Sequence, residues 1–362
     1  TQGKILFPQN ITNLISQNAY VYVLATGMLL CILTGGNIDL SVGSVVCFVG
    51  AVGGVFMEKM GMPMPIAVIL MLLLGAVIGA WQAVWIAYVH VPPFITTLSG
   101  MFVFRGLSNV VLGGQTLPIK NQAFVVLFGG GANCYVPDIL GGGEGMNRLA
   151  LVVGVVACVI FVVVTMKGYL NRKKKGYETG NVAAMYMKMI LICAVILFIT
   201  YKLAKYKGIP TSLVWVLIVV LIYGYITSKT TIGRYFYAVG GNEKATKLSG
   251  INTERVYFLA YTNMGLLSAL AGMLTIARLT SAQPTYGQNY EMDAIGSCFI
   301  GGASAYGGTG TVPGVIIGAT LMGIINQGMS IMGTDQNMQK VVKGLVLLAA
   351  VIFDVVSKKR SE

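Results

Sequence analysis

Asp39 stands between two strongly apolar runs, in the short segment Gly35–Ser44 (GGNIDLSVGS). A carboxylate near membrane depth is costly and by default marks a functional site. The same carboxylate, two residues ahead of Ser41 and an apolar run, also reads as a helix cap. Arg105 and Asn109 lie one helical turn apart inside the apolar stretch Phe94–Leu112. A guanidinium there must face protein or water. It either lines a polar path or pairs with a buried carboxylate. Asn37, Asp39, Ser41, Arg105 and Asn109 are therefore the candidate residues of a polar path.

A second kind of chemistry is offered by Thr231–Val256 (TIGRYFYAVGGNEKATKLSGINTERV), which is too polar to lie in a membrane. A turn at Gly240 and Gly241 is expected to divide it. The residues Asn242, Glu243, Lys244, Ala245, Thr246, Lys247 and Leu248 read as a short helix, followed by Ser249 and closed by Gly250. Asn242 suits its N-cap, and Glu243 and Lys247 suit the two ends of its dipole. A helix this short buries little of itself. It is either a loop ornament or a docking element for a soluble partner.

A third segment is Asn289–Gly310 (NYEMDAIGSCFIGGASAYGGTG). Glu291 and Asp293 precede a short apolar piece, Ala294–Ala303, that runs into a glycine-rich turn. Acidic residues suit a helix start, and broken helices facing a cavity are typical of transport proteins.

Other chemistries lack the residues they need. His90 is the single histidine, so no histidine-based metal cage is expected. The six cysteines contain no CxxC spacing, and no disulfide is expected. GGASAYGG lacks the lysine and hydroxyl of a phosphate-binding loop, so ATP binding by this chain is not expected. No nucleophile–base set is apparent. No cofactor and no catalytic or metal-binding residue is therefore assigned.

The elements that position these residues follow from composition. Of 362 residues, 56% are hydrophobic and 10% are charged. A soluble chain of this length has too few charges here to cover its surface, since about 25% is usual. Ten runs approach the roughly 20 residues that a spanning helix requires: Asn18–Thr34, Ser41–Met57, Met64–Tyr88, Phe94–Leu112, Leu149–Met166, Met187–Tyr201, Ser212–Thr227, Val256–Leu279, Val312–Met332 and Val341–Val356. Their continuity excludes the alternating strands of a β-barrel. The fold class is all-α: a polytopic membrane protein of about ten transmembrane helices, with Ala294–Ala303 as a broken or re-entrant piece. GxxxG spacings at Gly50–Gly54, Gly75–Gly79 and Gly314–Gly318 favour close helix packing. Residues 1–362 read as one transmembrane domain with an extramembranous loop over 230–255.

The net charge of +13 is a topology signal before it is a nucleic-acid signal. Lys and Arg concentrate in Lys167–Lys175, in Lys229–Arg255 and in the tail Lys358–Arg360. Basic loops favour the cytoplasm. Counting crossings places all three clusters there if the Ala294–Ala303 piece completes a crossing. Thr1 then falls outside, and a further N-terminal helix is expected ahead of it. Lys202, Lys205 and Lys207 fall outside against the bias. The basic clusters also suit contact with anionic membrane lipid.

Three segments carry a resemblance: TGGNIDLSVGSV (Thr34–Val45), GGNEKATKLSGI (Gly240–Ile251) and YEMDAIGSCFIGGASAYGG (Tyr290–Gly308). With VVKGLVLLAAVIFDVV (Val341–Val356) they resemble, in the same order, the monosaccharide permeases of bacterial ABC importers, the ribose/xylose/arabinose/galactose type. The long stretch from Lys167 to Pro210 is more similar to the xylose and multiple-sugar subgroup. The resemblance implies a permease of the cell inner membrane, working as two copies with a cytoplasmic ABC ATPase that binds ATP and magnesium. It also implies an extracytoplasmic sugar-binding protein, docking on loops such as Gly113–Arg148 and Ser281–Tyr290. It implies that GGNEKATKLSGI is the coupling helix seated in the ATPase. A permease for branched-chain amino acids shares this architecture and is the nearest alternative. A stand-alone secondary transporter would leave that loop without a role.

Overall fold

A computed structural model describes residues 3–141, 146–176 and 181–359. Arg360 of the basic tail and residues 142–145 of the Gly113–Arg148 loop lie outside the described residues. Fourteen helices follow one another among them: α1 (Pro8–Leu33), α2 (Val42–Gly54, continued by a π turn Val55–Lys59), α3 (Met64–Ala87), α4 (Pro93–Leu112), α5 (Gln122–Leu127), α6 (Arg148–Lys174), α7 (Val182–Ala204), α8 (Thr211–Lys229), α9 (Thr231–Gly241), α10 (Glu243–Leu248), α11 (Thr253–Arg278), α12 (Tyr290–Ile300), α13 (Val312–Ile331) and α14 (Gln336–Lys359). Two two-residue strands, β1 (Leu117–Pro118) and β2 (Ser281–Ala282), pair antiparallel.

Nine helices among the described residues are long and apolar enough to cross a membrane. The tenth expected crossing, α14, has the length but carries Lys340, Lys343 and Asp354. α12 has 11 residues, which is about 16 Å of helix against a hydrocarbon core of about 30 Å. It starts at Tyr290, ahead of the expected Ala294, because Glu291 and Asp293 occupy its first turn.

The chain divides into two units. One takes residues up to Ile15 and Tyr135–Pro210, and its body is the α6–α7 hairpin. Asn147 caps α6 through Ala150 N (2.9 Å) and donates its own backbone N–H to Ala204 O (2.9 Å), tying the start of α6 to the end of α7. The other unit takes Ser16–Cys134 and Thr211–Glu362. Its centre is α11 with α1 and α2; Tyr261, Met264 and Met273 of α11 are fully buried. Gly75 and Gly79 of α3 face backbone atoms of α11 at Gly265, Tyr261 and Thr262, where any Cβ would collide. Gly314 and Gly318 of α13 likewise meet Ser297 O of α12 and Gly301 just beyond its end. These two small-residue pairs thus pack helices within the chain, where backbone proximity supplies dispersion that lipid contact does not.

Candidate functional site

The polar segment between α8 and α11 folds as two helices. Thr230 caps α9, its Oγ1 accepting from Gly233 N at 3.1 Å. α9 continues through Gly240 and Gly241, so the expected glycine turn is absent and the break falls one residue later, at Asn242. Asn242 is extended and its Oδ1 accepts from Ala245 N at 2.9 Å, which starts α10. Glu243 occupies the first turn and Lys247 the last. Gly250, at φ +82°, donates its N–H to Lys247 O and closes the helix. Thr246 alone turns inward, donating to Ala238 O at 2.8 Å. Glu243, Lys244, Ala245, Lys247 and Ser249 are exposed, and Leu248 is 90% exposed.

The root of this helix touches two other segments through backbone alone. A Cβ on Gly240 would strike Leu33 O and Gly308 N, and Gly308 N itself donates to Leu33 O at 3.1 Å. A Cβ on Gly36, at φ +75°, would strike Ala305 O. The end of α1, the turn after α12 and the end of α9 therefore meet at one glycine junction. Tyr237 of α9 donates to Gly310 O at 2.8 Å beside it. Asp354 of α14 accepts from Ala305 N at 3.0 Å, fixing the same turn from another side. Tyr257 of α11 donates to Glu243 at 3.1 Å and steadies the first turn of α10. Next to it is a cavity of about 190 Å³ whose lining includes Asn37, His90, Glu243, Glu254 and Tyr257.

The other candidate residues fall in two groups. Asn37, Asp39 and Ser41 share the extended segment between α1 and α2. Asn37 donates to Thr34 O at 3.1 Å. Asp39 is buried, and its Oδ1 accepts from Ser41 N (2.8 Å) and Ser41 Oγ (2.6 Å). The N-cap of α2 is Ser41, so Asp39 does not cap the helix itself; it fixes the residue that starts it. Gln82 of α3 donates to Ser41 Oγ at 2.8 Å. Arg105 donates to the carbonyls of Tyr286 (2.6 Å) and Pro284 (3.2 Å), and the exposed Asn109 donates to Arg105 O at 3.1 Å. Arg105 thus braces the loop leading into α12 through carbonyls. No hydrogen bond joins the two groups among the described residues, but their neighbourhoods meet: a Cβ on Gly43 would strike Gly287 O, so the starts of α2 and α12 touch.

Sequence reasoning missed the strongest charge pair. Asp293, 1% exposed, is met by Lys343 Nζ at 2.8 Å from Oδ1, and Tyr20 Oη donates to Oδ2 at 2.8 Å. Asn326 donates to Oδ1 at 3.4 Å. Asp293 had an adequate reading as a first-turn acid. The available signal was Lys343, a cation inside an apolar run, which must find an anion.

A family described as "Branched-chain amino acid transport system / permease component" matches residues 10–351. The chain belongs to this permease family. The xylose transport system permease protein XylH of Escherichia coli strain K12 is 35% identical over 361 residues, covering 100% of this chain and 88% of the relative. Its counterpart from Haemophilus influenzae is 36% identical over 361 residues, covering 99% and 92%. The ribose import permease protein RbsC of Escherichia coli strain K12 is 34% identical over 348 residues, covering 95% and 85%. No solved structure matches the chain. As a member of this permease family with nine apolar helices of crossing length among its described residues, the chain is a multi-pass membrane protein.

Proposed function

We propose that this chain is the transmembrane subunit of an ATP-driven importer that carries a monosaccharide across the inner membrane. Near full-length similarity to xylose and ribose permeases supports the sugar over an amino acid. The observation that carries the energy source is α10: a capped helix outside the spans, with Leu248 projecting outward and its root seated in the glycine junction. A separate ATPase binds ATP and magnesium and seats α10. Closure of that ATPase displaces Gly240, and with it the end of α1 and the turn after α12. Those two segments lead directly to Asp39 and Ser41 on one side and to α12 on the other. This chain hydrolyses nothing. An external binding protein delivers the sugar, two copies of the chain enclose the path, and α10, the basic end of α6 and the C-terminus lie in the cytoplasm.

The test is reconstitution in liposomes with the ATPase and the binding protein, following uptake of labelled xylose and ribose. Uptake should need internal ATP and external binding protein. Deleting residues 242–250 should abolish co-purification with the ATPase while leaving the chain inserted. Retained association of that deletion variant with the ATPase would overturn the coupling assignment.

A further inference from the structure

α10 has a second attachment besides the glycine junction, and side chains make it. Tyr257 Oη of α11 donates to Glu243 Oε2, in the first turn of α10, at 3.1 Å. The side-chain amide of Asn37 also reaches that hydroxyl. Asn37 Nδ2 and Tyr257 Oη stand 3.8 and 3.9 Å from the point where a Cβ on Gly35 would lie. Three elements thus converge on one oxygen: α10, α11 and the extended segment between α1 and α2.

The donor inventory fits a relay. An Asn amide has two N–H donors, and a phenol has one donor and accepts as well. One N–H of Asn37 goes to Thr34 O at 3.1 Å. The other is left for Tyr257 Oη, whose own proton is spent on Glu243. The order is Asn37 N–H to Tyr257 O–H to the Glu243 carboxylate, and each bond polarises the next.

The partners differ in what holds them. Tyr257 lies one and two turns before Tyr261 and Met264, which are fully buried, so its backbone is fixed in the core. Glu243 is exposed on a short helix. Movement of α10 therefore draws Glu243 off the hydroxyl and leaves α11 in place. The phenol then loses its charged acceptor, and Asn37 loses the polarised partner that holds its segment. Asn37 lies two residues before the buried Asp39, which fixes Ser41 at the start of α2.

We infer that Tyr257 is a positioning residue for transport: its hydroxyl ties the position of α10 to residues 37–41, and displacement of α10 releases that segment by a route that bypasses Gly240. This rests on the reading of α10 as the element that the ATPase moves.

The full-length chain, reconstituted with the ATPase and the binding protein, gives the test when labelled-sugar uptake and ATP hydrolysis are followed together. Tyr257→Phe keeps the ring and removes only the hydroxyl. Maximal uptake should fall about fivefold, the worth of one net hydrogen bond. The KM for loaded binding protein and co-purification with the ATPase should be unchanged, so fewer sugars cross per ATP. Asn37→Ala breaks the relay at its other bond and should give the same loss, and the double variant should be no worse than either single one. Additive losses in the double variant would overturn the inference. So would loss of ATPase association in Tyr257→Phe, which would make the hydroxyl a prop for the fold of α10. Normal import by the unsubstituted chain beside an unaltered uptake-to-hydrolysis ratio in Tyr257→Phe would sink the relay alone. No ATP-dependent uptake by the unsubstituted chain would sink the reading of α10 beneath it.

Discussion

Lys343 Nζ lies 2.8 Å from Asp293 Oδ1, joining the middle of α14 to the first turn of the short helix α12. α12 is too short to hold itself in place by crossing the bilayer. The pair, with Tyr20 and Asn326 on the same carboxylate, supplies a lateral anchor instead.

Removing one partner should therefore be worse than removing both. Asp293→Asn or Lys343→Met alone leaves an uncompensated charge and should cost about 3 kcal/mol, because breaking a buried pair is far costlier than replacing it. The double variant should recover most of that loss. Thermal unfolding of the three variants in one detergent, combined as a double-mutant cycle, gives the comparison. A double variant as unstable as the sum of the singles would remove the pair from the account.

Gly240→Val should separate assembly from transport. The new side chain collides with Leu33 O and Gly308 N, while the exposed surface of α10 is untouched. Co-purification with the ATPase should persist and sugar uptake should fall at least tenfold, a shift of about 1.4 kcal/mol or more in the transport barrier. Gly241→Ala is the control: nothing lies within 4 Å of its Cβ position, and it should be close to neutral.

Asn242→Ala tests the start of α10. Loss of a side-chain cap of this type costs about 1 kcal/mol. The amide of Ala245, which now donates to Asn242 Oδ1, should exchange with solvent about fivefold faster. The melting temperature of the whole chain should hardly move, because α10 adds little to the buried core. Unchanged exchange at Ala245 would show that the cap is not what holds the helix.

Orientation is open to chemical labelling. The six native cysteines are first replaced, and single cysteines are then placed at Lys173, Lys205 and Lys247. An impermeant thiol reagent added outside intact cells should label position 205 and spare 173 and 247. Labelling at 247 would place α10 on the wrong side for any cytoplasmic partner.

Nine of the ten expected spans, the short helix near Ala294 and the cap at Asn242 were legible in the sequence, because each depends on local composition or on neighbours within four residues. Three matters were not legible. The Thr231–Gly241 stretch looked like a loop, yet Thr230 caps it and it packs as α9 with Phe236 and Val239 buried. Its helical state rests on tertiary contacts that override two closing glycines. The partner of Lys343 is 50 residues away along the chain, and no local pattern announces it. The glycines at 36, 240 and 308 were visible as breakers. Their shared location was not, because packing distance between backbones leaves no trace in residue type beyond the glycine itself.

The glycine junction has a mechanical corollary. Side chains in a contact act as springs: they change rotamer and absorb part of any push. Between Gly240, Leu33 and Gly308 the contact is main chain against main chain, so no rotamer is available to take up play. A displacement arriving from α10 would be delivered with almost no backlash, like a stroke through a rigid pushrod.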